Sequence, residues 1–131
     1  MDMSKIPSDL RYTRTHEWVK VDGDTITVGI TDYAQSELGD VVFVELPQEG
    51  DDFEAGAAIA TVESVKGVSE IYAPVDGVVV AVNDELENVP ELINEDPYKD
   101  GWIYKLKVED LSAIDDLLTA EEYEAQIAKE E

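Results

Sequence analysis

Apolar and polar residues alternate with a period of two along most of this chain, in short runs cut by Gly, Pro and Asp-Gly pairs. That pattern predicts half-buried strands joined by turns. Residues 16–30 read as a hairpin, with Asp22-Gly23-Asp24 as its turn. Thr31-Asp32 supplies a helix cap, and the short helix runs to about Leu38, where Gly39 is a natural stop. Strands follow at 41–46, ended by Pro47, then at 58–64, 68–73 and 78–82. Residues 83–97 read as a long acidic loop, and 101–108 as a cleanly alternating strand that closes a sheet.

The tail changes period. Ser112-Ala113-Ile114-Asp115 has capping-box form with Asp in the Glu position, and Thr119-Ala120-Glu121-Glu122 has the standard form. Two short helices over about 112–129 are predicted, with Leu117, Leu118, Tyr123 and Ile127 as their apolar faces. The expectation is an antiparallel all-β domain over 1–131, with its β body at about 10–108 and helices added at the end. A weak internal echo, Gly39-Asp40-Val41-Val42-Phe43-Val44 against Asp76-Gly77-Val78-Val79-Val80-Ala81-Val82, fits two half-motifs on either side of one exposed turn.

Composition narrows the function. The 131 residues hold 32 acidic against 9 basic side chains, a net charge of −23. Nucleic-acid phosphates and anionic lipid both need Lys and Arg, so neither is an expected partner. The charge favours partners with basic patches, or a solvent rich in cations that screens self-repulsion. The chain has no cysteine, which excludes disulfides, thiolate catalysis and cysteine-ligated metal. Asp51-Asp52 and Glu95-Asp96 lack calcium-loop spacing, so no metal site is expected. No apolar run approaches a membrane span, and the first residues have neither signal nor transit character, which makes the cytoplasm the default compartment. No Gly-rich phosphate loop or nucleophile–base pair marks an enzyme.

One residue stands apart. Lys66, in Val62-Glu63-Ser64-Val65-Lys66-Gly67-Val68-Ser69-Glu70-Ile71, falls at the tip of the hairpin between two predicted strands. Such a lysine is either a solvated turn charge or one presented for covalent modification. Alternation on both sides pins the register, and a slip of one residue would turn it away. Gly67 allows a positive φ after it. His16, the single histidine, has no partner for acid–base work and reads as structural or cleft-lining. Trp18 and Trp102 read as core or rim aromatics, and Tyr33 as a core residue.

Glu63-Ser64-Val65-Lys66 and the downstream Ala73-Pro74-Val75-Asp76-Gly77 resemble the lipoylation sequence of the glycine cleavage system H proteins. The resemblance extends over nearly the whole chain. It includes Thr15-His16-Glu17-Trp18-Val19, Val28-Gly29-Ile30-Thr31-Asp32-Tyr33-Ala34-Gln35, Leu38-Gly39-Asp40-Val41-Val42-Phe43-Val44-Glu45-Leu46-Pro47, Leu92-Ile93-Asn94 and Gly101-Trp102. Gly67, where alanine is expected, and Glu70, where aspartate is expected, depart from the family pattern.

What the resemblance implies is a lipoyl-like barrel-sandwich hybrid and a non-catalytic, monomeric carrier. Lys66 would bear lipoic acid as an amide, on an arm of roughly ten rotatable bonds of about 1.5 Å, reaching on the order of 14 Å from the Cα. The family's partners are the glycine decarboxylase (P protein), the aminomethyltransferase (T protein), the dihydrolipoyl dehydrogenase (L protein) and a lipoate-attaching enzyme. Thr15, Glu17 and Glu70 are the candidates, by position, for a cleft that receives the cationic end of the loaded arm. The other readings are a lipoyl or octanoyl relay protein and an unmodified acidic interaction domain. The Asp-Lys-Ala turn of 2-oxo acid dehydrogenase carriers and the methionines of biotin carriers are both missing around Lys66.

Overall fold

The computed structural model describes residues 5–130; Met1–Ser4 and Glu131, the ends of the expected 1–131 domain, lie outside the described residues. Among the described residues nine strands form two antiparallel sheets. In chain order they are β1 (Arg11–Tyr12), β2 (Glu17–Asp22), β3 (Thr25–Ile30), β4 (Val41–Glu45), β5 (Asp52–Phe53), β6 (Ala58–Ser64), β7 (Gly67–Tyr72), β8 (Gly77–Val82) and β9 (Tyr104–Lys107). The larger sheet has the order β1-β2-β3-β9-β8-β5 and the smaller β4-β6-β7. The echoing segments, β4 and β8, therefore lie in different sheets.

Alternation gives each sheet an apolar inner face, and the two faces share one core. Val19, Ile26 and Val28 come from the larger sheet, and Val44, Val62 and Ile71 from the smaller. Strand β2 is covered on its other side too. Trp18 belongs to a second cluster with Tyr12, Tyr33, Tyr123 and Ile127, and its indole Nε1 donates to the Pro97 carbonyl at 2.8 Å. Trp102 packs on the rim of that cluster.

The first helix, α1 (Asp32–Leu38), is capped as expected. Thr31 Oγ1 accepts from the Ala34 N–H, and Gly39 ends the helix at φ 76° with its N–H on the Gln35 carbonyl. At the far end Thr119 and Glu122 exchange side-chain-to-backbone bonds of 2.9 and 3.2 Å, a complete capping box. The Thr119 N–H holds the Glu122 carboxyl below its usual range.

Several expectations shift. The 83–97 segment is not an open loop but carries two one-turn helices, α2 (Glu85–Asn88) and α3 (Leu92–Glu95), because Leu86 and Ile93 are buried beneath them. The 101–108 strand begins only at Tyr104 and lies between β3 and β8, joining the halves of the sheet rather than closing it. The first tail helix is a 3₁₀ segment, Leu111–Asp116, and its cap is Asp110, whose carboxylate accepts from the Ser112 N–H, not Ser112 itself. The final helix, α4 (Ala120–Glu130), buries Tyr123 and Ile127 as predicted. The two-residue strands β1 and β5 carry too few residues for a period to register. No helix among the described residues is long and apolar enough to cross a membrane.

Candidate functional site

Lys66 occupies the tip of the β6–β7 hairpin. Ser64 pairs with Gly67 across it, which leaves Val65 and Lys66 as a two-residue loop. Two-residue loops usually take positive φ at one or both central positions. Among the described residues only His16 is a non-glycine with positive φ, so this loop is of another kind. The left-handed φ instead falls on Gly67, at 154°. Ser64 pins the turn from inside: its hydroxyl accepts from the Lys66 N–H at 3.2 Å and donates to the Gly67 carbonyl at 3.3 Å. The Val65 N–H donates to the Asp40 carbonyl at 3.0 Å. Lys66 is exposed, flanked by Val65 and Val68, which are 67% and 64% exposed.

The lysine reaches a residue that lines a groove. Its Nζ is 3.4 Å from the Glu37 carbonyl oxygen, and Glu37 lines a groove of about 270 Å³. Ile30, Tyr33, Ala34, Leu38 and Ile71 form its apolar wall, and Thr15, His16, Ser69, Glu70 and Glu130 supply its polar groups. That mixture suits a hydrocarbon arm with a cationic end.

Two of the three cleft candidates, Thr15 and Glu70, meet in this groove. Glu17 does not line it. Its side chain points inward at 1% exposure and borders a second cavity of about 500 Å³ with Thr15, Tyr72 and Leu118. Its carboxylate accepts from both Thr13 Oγ1 and Thr15 Oγ1 and from the Tyr72 N–H at 3.3 Å. Burial pushes the carboxyl above its usual range, against these hydrogen bonds, which pull it down. Nearby in the core, burial and then the Glu17 charge push the Tyr104 phenol well up. Thr15 lines both cavities.

The tail builds the groove's far side, which no local sequence signal announces. His16 takes φ 71°, and its Nδ1 lies 2.8 Å from Tyr123 Oη while its Nε2 lies 3.2 Å from Glu130 Oε1. Tyr123 Oη also lies 2.6 Å from Thr31 Oγ1. Gln126 Nε2 donates to the Arg14 carbonyl at 3.0 Å. Helix α4 therefore fixes the 13–17 loop that carries Thr15. Tyr33 is buried and tilts against His16 at 5.2 Å, so it serves packing and groove wall together. Among the described residues no group of three His, Asp or Glu side chains is placed to hold a metal ion.

The family model described as glycine cleavage H-protein matches residues 10–130. The glycine cleavage system H protein of Staphylococcus carnosus is 56% identical over 124 residues, covering 95% of this chain and 98% of that protein. The probable glycine cleavage system H protein of Haloarcula marismortui is 58% identical over 122 residues, covering 93% of this chain and 96% of that one. The crystal structure of a glycine cleavage system H protein from Mycobacterium marinum is similar at a TM-score of 0.86 and 42% identity, covering 94% of this chain and 99% of that chain.

Proposed function

This chain belongs to the glycine cleavage H-protein family, the lipoyl carriers of the glycine cleavage system, and from that premise we propose that Lys66 is the residue that carries its lipoyl group. The observation that carries the reading is the placement of Lys66: an exposed lysine on a pinned two-residue loop, with its Nζ 3.4 Å from the carbonyl of Glu37, which lines a groove with Thr15 and Glu70. The residues fit the group. The groove offers an apolar wall to a hydrocarbon chain and, at Glu70, a carboxylate to an ammonium.

When attached, the lipoyl group supplies the disulfide that accepts an aminomethyl group and the dithiol that is later reoxidised. The chain's own part is to present, shelter and release. Ser64 and Gly67 hold the hairpin in one shape for the lipoate-attaching enzyme. Thr15 and Glu70 face the cationic end, and Glu17 acts from beneath by fixing the Thr15 hydroxyl. Groove walls from α1, β7 and α4 limit access of water. Tethering keeps the cargo at an effective concentration of about mM near the partners' sites. With no thiol in the chain, nothing competes with the lipoyl sulfurs.

In this reading the chain is one non-catalytic, monomeric, cytoplasmic carrier domain. It visits the glycine decarboxylase, the aminomethyltransferase and the dihydrolipoyl dehydrogenase in turn. The test is intact mass and peptide mapping after coexpression with a lipoate-attaching enzyme. A lipoyl-sized increment on the Lys66 peptide, absent from Lys66→Ala, is the expected result. An unmodified Lys66 in cells that lipoylate other proteins would move the chain to the acidic interaction module.

A further inference from the structure

Gly39 ends α1 at φ 76° and ψ −160°, a region that is essentially glycine's alone. Its bare α-carbon faces the lysine hairpin. A Cβ built there would lie 3.4 Å from Val65 Cγ2, 3.5 Å from Lys66 Cε and 3.7 Å from Lys66 Cδ. The methylenes of Lys66 thus run beside a stretch of backbone with no side chain, and Nζ ends 3.4 Å from the Glu37 carbonyl oxygen. Glu37 and Leu38, the residues just before that stretch, line the groove with Thr15 and Glu70.

This seat is held from behind by a side chain that touches neither the lysine nor the groove. Asn94, in α3, donates to the Gly39 carbonyl at 2.9 Å and to Gln35 Oε1 at 3.0 Å. Its Oδ1 accepts from the Val41 N–H at 2.9 Å. Between those two anchored residues stands Asp40, whose carbonyl receives the Val65 N–H at 3.0 Å. One half-buried amide therefore fixes the end of α1, the start of β4 and, through Asp40, the hairpin tip.

We propose that the seat also holds the root of the modified side chain: in the loaded carrier the Lys66 methylenes lie over Gly39, the Nζ amide N–H donates to the Glu37 carbonyl, and Asn94 is the positioning residue that keeps this geometry. The proposal rests on Lys66 being the lipoylated residue. An ammonium has three N–H donors and a secondary amide keeps one, which is enough for one carbonyl acceptor. The bond survives the loss of charge as a neutral one. Holding the root removes several torsions from the search of the arm and delivers its far end along the groove rather than into open solvent.

The experiment uses the full chain, labelled at lysine with ¹³C and ¹⁵N, lipoylated, and loaded with glycine by a glycine decarboxylase. Intact mass first verifies the increment on Lys66; its absence sinks the Lys66 reading, and this inference with it. In the loaded chain, nuclear Overhauser contacts from the Lys66 ε-methylene to the Gly39 α-protons are expected. The side-chain amide proton should exchange about tenfold more slowly than in a lipoylated peptide of the hairpin, as one ordinary hydrogen bond gives. Asn94→Ala should weaken those contacts and return most of the exchange rate while the β6–β7 backbone amides keep their protection. A loaded chain with no contacts to Gly39 and peptide-like exchange overturns the seat. An Asn94→Ala variant that changes neither readout overturns the role of Asn94.

Discussion

The backbone N–H of Tyr72 donates to the Glu17 carboxylate at 3.3 Å, and this bond ties the free edge of the lysine hairpin's sheet to the first long strand of the other. Glu17 starts β2 and Tyr72 ends β7, 55 residues later. The carboxylate also takes the Thr13 and Thr15 hydroxyls, so a single buried charge fixes the loop beside the groove and the hairpin that carries Lys66.

That charge is held at a cost that depends on pH. Burial raises the Glu17 carboxyl above its unfolded value, so the folded state binds the proton more tightly. Its contribution is greatest at low pH and is lost as pH rises from the ordinary carboxyl range through the raised value. Glu17→Gln has no such proton, and its amide can accept from Tyr72 and donate to the threonine hydroxyls. Urea unfolding of both proteins from about pH 4 upward should show the variant gaining on the native chain as pH rises. A pH-independent difference would sink the assignment.

Glu70 faces the groove with a carboxylate that attracts a cation. Glu70→Gln should leave lipoylation of Lys66 intact and speed loss of the aminomethyl group from the loaded carrier by up to about fivefold, the worth of one partly exposed ion pair. Formaldehyde release in the absence of partners is the measurement, with Glu63→Gln as the control outside the groove lining.

Gly29 lies opposite Trp18 in the β2–β3 ladder, and a Cβ there would stand 2.7 Å from three atoms of the indole. Trp18 is 1% exposed, so any retreat of the ring must be taken up by its buried neighbours. Gly29→Ala should cost about 1–3 kcal/mol in denaturant unfolding, with a red shift of tryptophan emission as the bond to the Pro97 carbonyl opens.

Tyr123 bridges Thr31 and His16 through one hydroxyl. Tyr123→Phe leaves the fully buried Thr31 hydroxyl with only its cap bond from the Ala34 N–H and should destabilise the chain by about 1 kcal/mol. Hydrogen exchange should quicken in the 13–17 loop ahead of the β3–β9 ladder.

The net charge of −23 is almost unrelieved by contact: among the described residues the one approach within 4 Å of a basic side chain to a carboxylate is His16 to Glu130. Raising KCl from about 0.01 M to about 1 M shortens the screening length from about 30 Å to about 3 Å. Tm should rise by on the order of 10 °C, and an unchanged Tm would count against self-repulsion. If the charge also steers basic partners, loading by the decarboxylase should slow over the same range.

Local chemistry made much of this protein legible in its sequence. Period-two alternation marked the longer strands because each has one face in the shared core. Thr31 and Gly39 marked the ends of α1, and Thr119 with Glu122 marked the start of α4, because caps depend only on residues within a few positions. Lys66 was legible as a turn residue for the same reason, and as a lipoyl lysine through its resemblance to the H-protein pattern.

The tertiary structure decided what depends on distant partners. By position Glu17 is a cleft candidate, and its burial beneath the cleft rests on hydroxyls two and four residues away and an N–H from another sheet. The place of β9 between β3 and β8 is a matter of topology, which no strand's own pattern encodes. The one-turn helices α2 and α3 form because Leu86 and Ile93 find the core, an event set by packing rather than by propensity. The seat at Gly39, the Asn94 anchor and the tail that walls the groove were illegible for the same physical reason: each is a contact between segments that alternation and caps describe one at a time.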